Sequence, residues 1–423
     1  MRCGERRAEI AAKFDAHVVH PEESTYVGWG QYLEVTSSHA ADRDLRNQYG
    51  IYGISAGLQV LALHSSREYA TTIQQALPTL PLVTTPTVDA ALTTIHAHFV
   101  DKHDLDVTYK LCALLDASVT LHRQLVIDDR ESRTSEITDL VMKVRRPGAG
   151  WPDYVAKPAN VHATAVALHA VSHCPLNEDQ QRDVRDALRW LAQKRIDQMS
   201  VATLSLLVIS INEMMHRDDF DGTLRDDRRI KEFFGRCKQA LGGWVRTASP
   251  WDVLRSLEGT EYWIPEEDAR PNGPRFTFLF YVTHCLTALA ILHSPDLLRQ
   301  ARGRRFVLRT IDVIERQTRD SGGYFIAAGR NVAATVEHLW VYRLLHQFEK
   351  TRLYRHWWSV FADRLAASRW GTPIACLVAA GVVALAVAAV LTHGTVQVAL
   401  GAICGVVTTL AATVLSAITL KLT

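Results

Sequence analysis

The chain has 423 residues, of which 48% are hydrophobic and 22% are charged, a composition typical of a folded protein with a large core. Its 47 lysines and arginines nearly balance its 45 aspartates and glutamates, which excludes a disordered polyelectrolyte and gives no reason to expect a nucleic acid partner. The seven cysteines are widely spread without a Cys-x-x-Cys pair, so they indicate neither a disulfide framework nor a zinc ribbon, and we expect no metal or other cofactor.

Residues 1–348 contain six apolar segments of helical length, separated by more polar ones. The apolar segments lie at 49–64, 107–122, 160–173, 200–214, 276–293 and 331–346. Amphipathic segments lie at 88–100, 135–144, 178–196, 226–241 and 294–317. Helices that are apolar almost all round are buried in globular proteins, whereas amphipathic helices cover them. The alternation therefore predicts an all-α domain, and no segment shows a strand pattern.

A glycine followed by an aromatic residue precedes several apolar segments. The pairs are Gly28-Trp29, Gly150-Trp151, Gly243-Trp244 and Gly323-Tyr324. Glycine permits a close approach of the backbone, and the aromatic ring can fill the space between helices. GAGW followed by NVHATAVALHAV, and GGYF followed by NVAATVEHLWVY, resemble repeats of the terpenoid cyclase and protein prenyltransferase superfamily. This resemblance, over about residues 25–348, implies an α/α-toroid of about six inner and six outer helices; an irregular HEAT-type solenoid is the alternative.

The resemblance also implies inner helices that run in the same direction and gather their N-termini at one end. Helix N-termini attract anions, so this end predicts a mouth for a small anionic ligand. The residues expected to bind the ligand there are Arg46, Lys157, His162, Arg275, Arg330 and Asn331. They are equally interpreted as ordinary solvated loop residues. Tyr262 and Trp263, in the long connection 245–275, either close over a ligand or pack that loop onto the barrel.

No catalytic motif of the superfamily is present. The chain has neither the Asp-x-Asp-Asp acid nor the Asp-Asp-x-x-Asp motif, and His284-Cys285 supplies too few ligands for zinc. Buried ionisable groups within apolar helices must face a cavity or meet a partner, which leaves four candidates for catalysis. These are Asp116, His162, His284 and Glu337, each of which can also be a structural core residue.

The last fifty residues predict a membrane anchor. Residues 372–392 and 396–420 are uncharged and long enough to cross a bilayer as two helices. Residues 349–371 predict an amphipathic helix at the membrane surface. The basic residues flanking the spans place residues 1–370 and the C-terminus in the cytoplasm of a two-pass inner (plasma) membrane protein. Small residues in the spans serve either hairpin packing or homo-oligomer contacts; they are Ala380, Ala384, Ala388, Gly401 and Gly405.

The sequence leaves three functions open. The first is a membrane-anchored sensor or effector whose toroid binds a small, anionic ligand and signals to the hairpin, perturbing the bilayer in the manner of bacterial defence proteins. The second is a membrane-bound enzyme acting on an isoprenoid substrate, as a cyclase or transferase. The third is a scaffold that docks another protein.

Overall fold

The chain is almost entirely helical wherever it is described. The computed structural model describes residues 3–20, 26–30, 32–35, 50–80, 107–128, 133–153, 157–217, 220, 222–247, 280–320 and 332–351. The predicted all-α class is thereby confirmed. The exception is one antiparallel ribbon of two short strands, β1 (Tyr32–Val35) and β2 (Val332–Ala334). The sequence predicts no strand there because neither segment is long or alternating; each exists through its pairing with a distant partner.

The helices follow the predicted alternation of apolar and amphipathic segments. In chain order they are α1 (Cys3–Ala16), α2 (Ile51–Ser65), α3 (Ala70–Ala76), α4 (Val107–Arg123), α5 (Thr134–Val144), α6 (Val161–Val171), α7 (Glu178–Ala192), α8 (Val201–His216), α9 (Gly222–Asp226), α10 (Arg228–Thr247), α11 (Phe280–His293), α12 (Pro295–Arg299), α13 (Ala301–Asp320) and α14 (Thr335–Lys350). We call α2, α4, α6, α8, α11 and α14 the apolar helices, since each corresponds to one predicted apolar segment. Short 3-10 turns occupy Leu77–Thr79 and Ile196–Gln198.

The apolar helices pack on one another in a closed order. Helix α2 packs on α4, α4 on α6, α6 on α8, α8 on α11, α11 on α14, and α14 returns to α2. The amphipathic helices lie against this set: α5 packs on α4, α7 on α6, α10 on α8, and α13 on α11. Helix α1, which the sequence does not predict, packs on both α2 and α14 where the cycle closes.

Helices α4, α6, α8 and α11 run in the same direction, as contacts between their first turns and between their last turns show. At the start of α6, His162 lies 6.1 Å (ring centroids) from Tyr109 of α4 and 2.9 Å (Nδ1 to Oγ1) from Thr203 of α8. At the other end, Glu213 of α8 contacts both His173, just beyond α6, and His293 of α11. An antiparallel pair would bring a first turn against a last turn.

Two of the predicted Gly-aromatic pairs lock the turns before apolar helices. Trp29 is fully buried, and its indole N–H donates to the carbonyl of Phe14 in α1. Gly57 of α2 lies against its ring so closely that a Cβ there would stand 2.1 Å from a ring carbon, so only glycine fits. Trp151 is also fully buried, and its indole N–H donates to Val141 of α5. Each ring joins an outer helix to the cycle.

Helix α6 begins at a side-chain cap that the sequence shows as the Asn of NVHAT. The Asn160 Oδ1 atom accepts from the backbone N–H groups of His162, at 2.7 Å, and Ala163, at 3.0 Å. We expect Asn160→Ala to lower the free energy of unfolding by about 1 kcal/mol, because two first-turn donors lose their acceptor. Urea unfolding measures this, and Asn160→Asp should restore most of the loss. Equal losses in both variants would contradict the capping role.

None of the helices described in the structure is long and apolar enough to cross a membrane. The predicted spans 372–392 and 396–420, with the five small residues within them, lie outside the described residues, and so does all of 349–371 beyond residue 351. The membrane anchor therefore stays a prediction.

Candidate functional site inside the cycle of apolar helices

Single stripes of partly exposed residues mark the sides of the apolar helices that face the interior of the cycle. On α4 the stripe contains Tyr109, Ala113, Asp116 and Thr120, at spacings of four, three and four. On α14 it contains Val336, Trp340, Arg343 and Gln347. Side chains from these stripes meet across the interior. The interior is therefore the place where polar and ionisable groups of different helices come together.

Arg343 joins three of the apolar helices. One guanidinium nitrogen lies 3.5 Å from a carboxylate oxygen of Asp116 on α4, and it donates a hydrogen bond to Gln59 on α2. The guanidinium also lies over the ring of Trp340, 5.0 Å from its centroid. Both members of the Asp116–Arg343 ion pair are mostly buried, so removing either one would leave the other without its partner inside the cycle.

A carboxyl group lies between two imidazoles at the C-terminal ends of α6, α8 and α11. Glu213 Oε2 is 3.1 Å from His173 Nδ1, and Glu213 Oε1 is 3.5 Å from His293 Nδ1. Ser172 Oγ also donates to this carboxylate, at 3.1 Å. Burial raises the pKa of Glu213 to about 7, and burial lowers the pKa of both histidines. The cluster can therefore gain or lose a proton near neutral pH, the property expected of an acid–base group.

His169 and Glu337 are buried ionisable side chains that find no hydrogen-bond partner among the residues that the structure describes. His169 is 7% exposed, and its ring centroid lies 5.8 Å from that of Trp340 and 5.0 Å from that of His173. Neither nitrogen of its ring has a hydrogen-bond partner among the described residues. Glu337 is 3% exposed, and neither of its carboxyl oxygens has a hydrogen-bond partner among the described residues. Burial lowers the pKa of His169 to about 4, so its imidazole is neutral at pH 7, and burial raises the pKa of Glu337 well above its usual value. Native proteins rarely leave such groups unpaired.

The four predicted catalytic candidates do not form one site. Asp116 pairs with Arg343, and His162 contacts Thr203 at the start of α8. His284 lies between the rings of Trp244 and Phe306, on the side of α11 that faces α10 and α13. Glu337 lies near Cys285 of α11 and contributes, after burial, to the raised pKa of that thiol. The structure thus brings Asp116 to the interior cluster and leaves the other three in separate surroundings.

Most residues of the predicted anion mouth lie outside the described residues: Arg46, Tyr262, Trp263, Arg275, Arg330 and Asn331. Lys157 is partly exposed, and its carbonyl accepts a hydrogen bond from Arg146. At the same end, Asn160 and Ser200 accept first-turn N–H groups of α6 and α8. Those two helix starts therefore keep fewer N–H groups for an anion than an uncapped helix has.

Trp340, Arg343 and His293 belong to the interior site, but the sequence does not predict them as site residues. The sequence feature that could have identified them is their position within otherwise apolar helices. In addition, Trp340 and Arg343 follow the three- and four-residue spacing of one face of α14. Among the residues that the structure describes, no group of three or more His, Cys, Asp or Glu side chains is arranged to hold a metal ion. The chemistry seen in the interior is that of protons, hydrogen bonds and ion pairs.

No model of a known protein family matches the chain, and a search of curated proteins found no significant match.

Proposed function

We propose that the six apolar helices are the inner ring of an α/α-toroid whose interior binds a small ligand, in a membrane-anchored sensor or effector. The closed packing order and the shared helix direction support the toroid over an open solenoid, in which the last helix would not return to the first. This is the architecture that the resemblance to terpenoid cyclases and prenyltransferases implies.

The observation that carries ligand binding is the burial of His169, beside Trp340 in the interior, without a hydrogen-bond partner in the described part of the chain. Such a group costs about 1–3 kcal/mol of desolvation without a compensating hydrogen bond. A ligand inside the ring that offers hydrogen-bond partners would recover this free energy. A protein that keeps such groups without using them would gain stability by losing them, so their presence supports a binding role.

The charges favour an anionic ligand. The helix N-termini gather at one end, where Lys157 lies, and each carries about half a positive charge. Inside the ring Arg343 lies 3.5 Å from Asp116 through one guanidinium nitrogen, and its other N–H groups can donate to a carboxylate or phosphate. The predicted membrane segments follow α14. A conformational change of the ring on ligand binding would therefore reach the hairpin through the last turn of α14.

The test is mass spectrometry of small molecules extracted from the full chain purified in detergent. We expect an anionic compound with the wild type and with Arg228→Gln, whose side chain is exposed on α10, and a loss of at least tenfold with Arg343→Gln. In cells, expression of the full chain should depolarise the membrane, and deletion of residues 372–423 should abolish this effect. Toxicity that persists in the truncated chain would defeat the membrane-effector proposal.

Glu337 favours a second candidate, a membrane-bound enzyme acting on an isoprenoid. Burial raises the pKa of the Glu337 carboxyl group well above its usual value, which favours the protonated form that can donate a proton to a substrate. The enzyme would convert polyprenyl diphosphates or squalene-like hydrocarbons, and Glu337→Gln would abolish product formation. Purified protein in detergent that forms no product from either substrate class would exclude this candidate.

Replacing Glu337 by leucine separates a structural from a functional role. We expect Glu337→Leu to raise the free energy of unfolding by about 2 kcal/mol, because it removes a buried polar group that no described residue bonds. We also expect the variant to form no isoprenoid product. Urea unfolding and a product assay by mass spectrometry measure the two effects, and Glu232→Leu, at an exposed position of α10, should show neither. Loss of stability in Glu337→Leu would mean that the carboxyl group is structurally required.

A further inference from the structure

Helix α1 is tied to the last turns of α14 by a single arginine. Arg7 Nη1 lies 3.0 Å from His346 Nδ1, and Arg7 Nη2 forms an ion pair with Glu349. The same guanidinium lies over the ring of Tyr342, 5.8 Å from its centroid. These three residues of α14 face α1 at spacings of four and three, so Arg7 holds about two turns of the helix at once.

The contact continues into the closure of the ring. The Tyr342 hydroxyl lies 3.2 Å from His64 Nδ1, at the end of α2. Burial lowers the pKa of His346 to about 4, so its ring is neutral at pH 7 and Nδ1 can accept the N–H of Arg7. Arg7 is mostly buried, with its side chain 18% exposed, and a charge-assisted hydrogen bond at such a site is stronger than one on the surface.

We propose that Arg7 is a restraint that holds the end of α14, and with it the chain that follows, in a resting position. The inference rests on the proposed membrane-effector function. Helix α14 ends at Lys350, one residue after Glu349, and the predicted membrane-surface helix and hairpin come next. Releasing Arg7 from His346, Glu349 and Tyr342 frees the last two turns of α14 from α1, while Arg343 and Trp340 stay in the ring. The predicted membrane segments would then follow a chain end that α1 no longer restrains.

Arg6 supplies a matched comparison. It is the neighbouring residue on the same helix and it pairs with Glu9 of α1, at i and i+3, so its ion pair does not bridge two helices. Replacing Arg6 removes the same charge from α1 as replacing Arg7, but it leaves the contact with α14 intact. A difference between the two variants therefore reports the restraint and not the charge of the N-terminal helix.

The experiment measures dye release from vesicles of phosphatidylethanolamine and phosphatidylglycerol that contain the full chain. We expect Arg7→Ala and Arg7→Glu to raise basal release about tenfold over the wild type, as for the loss of one charge-assisted hydrogen bond, and Arg6→Ala to match the wild type. The charge exchange Arg7→Glu with Glu349→Arg should bring release back toward the wild-type rate. This double variant keeps the test decisive if Arg7→Ala fails to fold.

The outcomes separate the restraint from the function on which it rests. Equal dye release from the wild type and all variants would contradict the restraint but would still be consistent with the membrane-effector proposal. Arg6→Ala that leaks as much as Arg7→Ala, or a charge exchange that leaks as much as Arg7→Glu, would also overturn the restraint. Vesicles that stay tight with every variant would overturn the membrane-effector proposal, and the restraint with it.

Discussion

Alanine in place of Trp151 is expected to lower the free energy of unfolding by about 4 kcal/mol, several times the loss expected from removing the Asn160 cap. Trp151 is fully buried; its indole N–H lies 2.6 Å from the carbonyl oxygen of Val141 in α5, and its backbone N–H donates to Thr164 of α6. Truncation leaves a cavity the size of the indole and an unpaired buried carbonyl. Because both losses fall where an outer helix meets the ring, neighbouring side chains cannot easily move in to fill the space.

Urea unfolding followed by far-ultraviolet circular dichroism measures this loss. Trp190→Ala is the control, because its ring is only partly buried on α7 and packs under Lys194, 4.4 Å from its centroid. We expect the control to lose about 1 kcal/mol or less. If the two variants were equally stable, Trp151 would not hold α5 against α6.

The second large effect concerns acid. His169 has a pKa of about 4 in the folded chain and 6.5 as a free side chain, so the unfolded chain binds more protons between these values. The contribution of His169 is therefore fully present above pH 6.5 and is lost as the pH falls toward 4. Between pH 7 and pH 5 the loss amounts to about 2 kcal/mol. His169→Gln should remove this part of the acid destabilisation.

The measurement is the difference in free energy of unfolding between pH 7 and pH 5, which should be about 2 kcal/mol smaller in His169→Gln than in the wild type. The pH-dependent change in the free energy of unfolding is compared between wild type and variant because Glu213 changes stability in the opposite direction. Burial raises the pKa of Glu213 to about 7, so its contribution to stability is lost as the pH rises through 7. An unchanged difference in His169→Gln would show that the imidazole is protonated without cost in the folded chain.

The sequence predicts the apolar helices well because their burial makes them apolar on every side. Helices α6 and α8 begin at Val161 and Val201, one residue after the start of their predicted segments. The first residues of those segments, Asn160 and Ser200, are the N-caps. The Gly-Trp pairs also indicate their role correctly at Trp29 and Trp151. Helix α1 escapes prediction because it lacks a long apolar run, and its helical state depends on packing against α2 and α14.

The interior site could be predicted only in part, because contacts across a ring depend on which helices face each other. Asp116 is identifiable as an acid in an apolar helix, but its partner Arg343 is more than two hundred residues away on α14. His169 and Trp340 likewise lie on helices that are not neighbours in the packing order. The spacing of residues along the sequence predicts the helix face on which a residue lies. Which residue lies opposite it depends on how the apolar helices pack in the closed cycle.

That closure has a consequence for how the chain folds during its synthesis. Helix α2 needs α14 to cover one side, and β1 needs β2, yet these partners are made last among the described elements. Until then α2 and α11 each keep an uncovered apolar flank, which is a binding surface for chaperones and a hazard for aggregation. The final seal forms only when residues 335–350 emerge from the ribosome. The predicted membrane-surface helix and then the predicted hairpin appear next, so the last helix of the cycle would pack shortly before the membrane segments leave the ribosome.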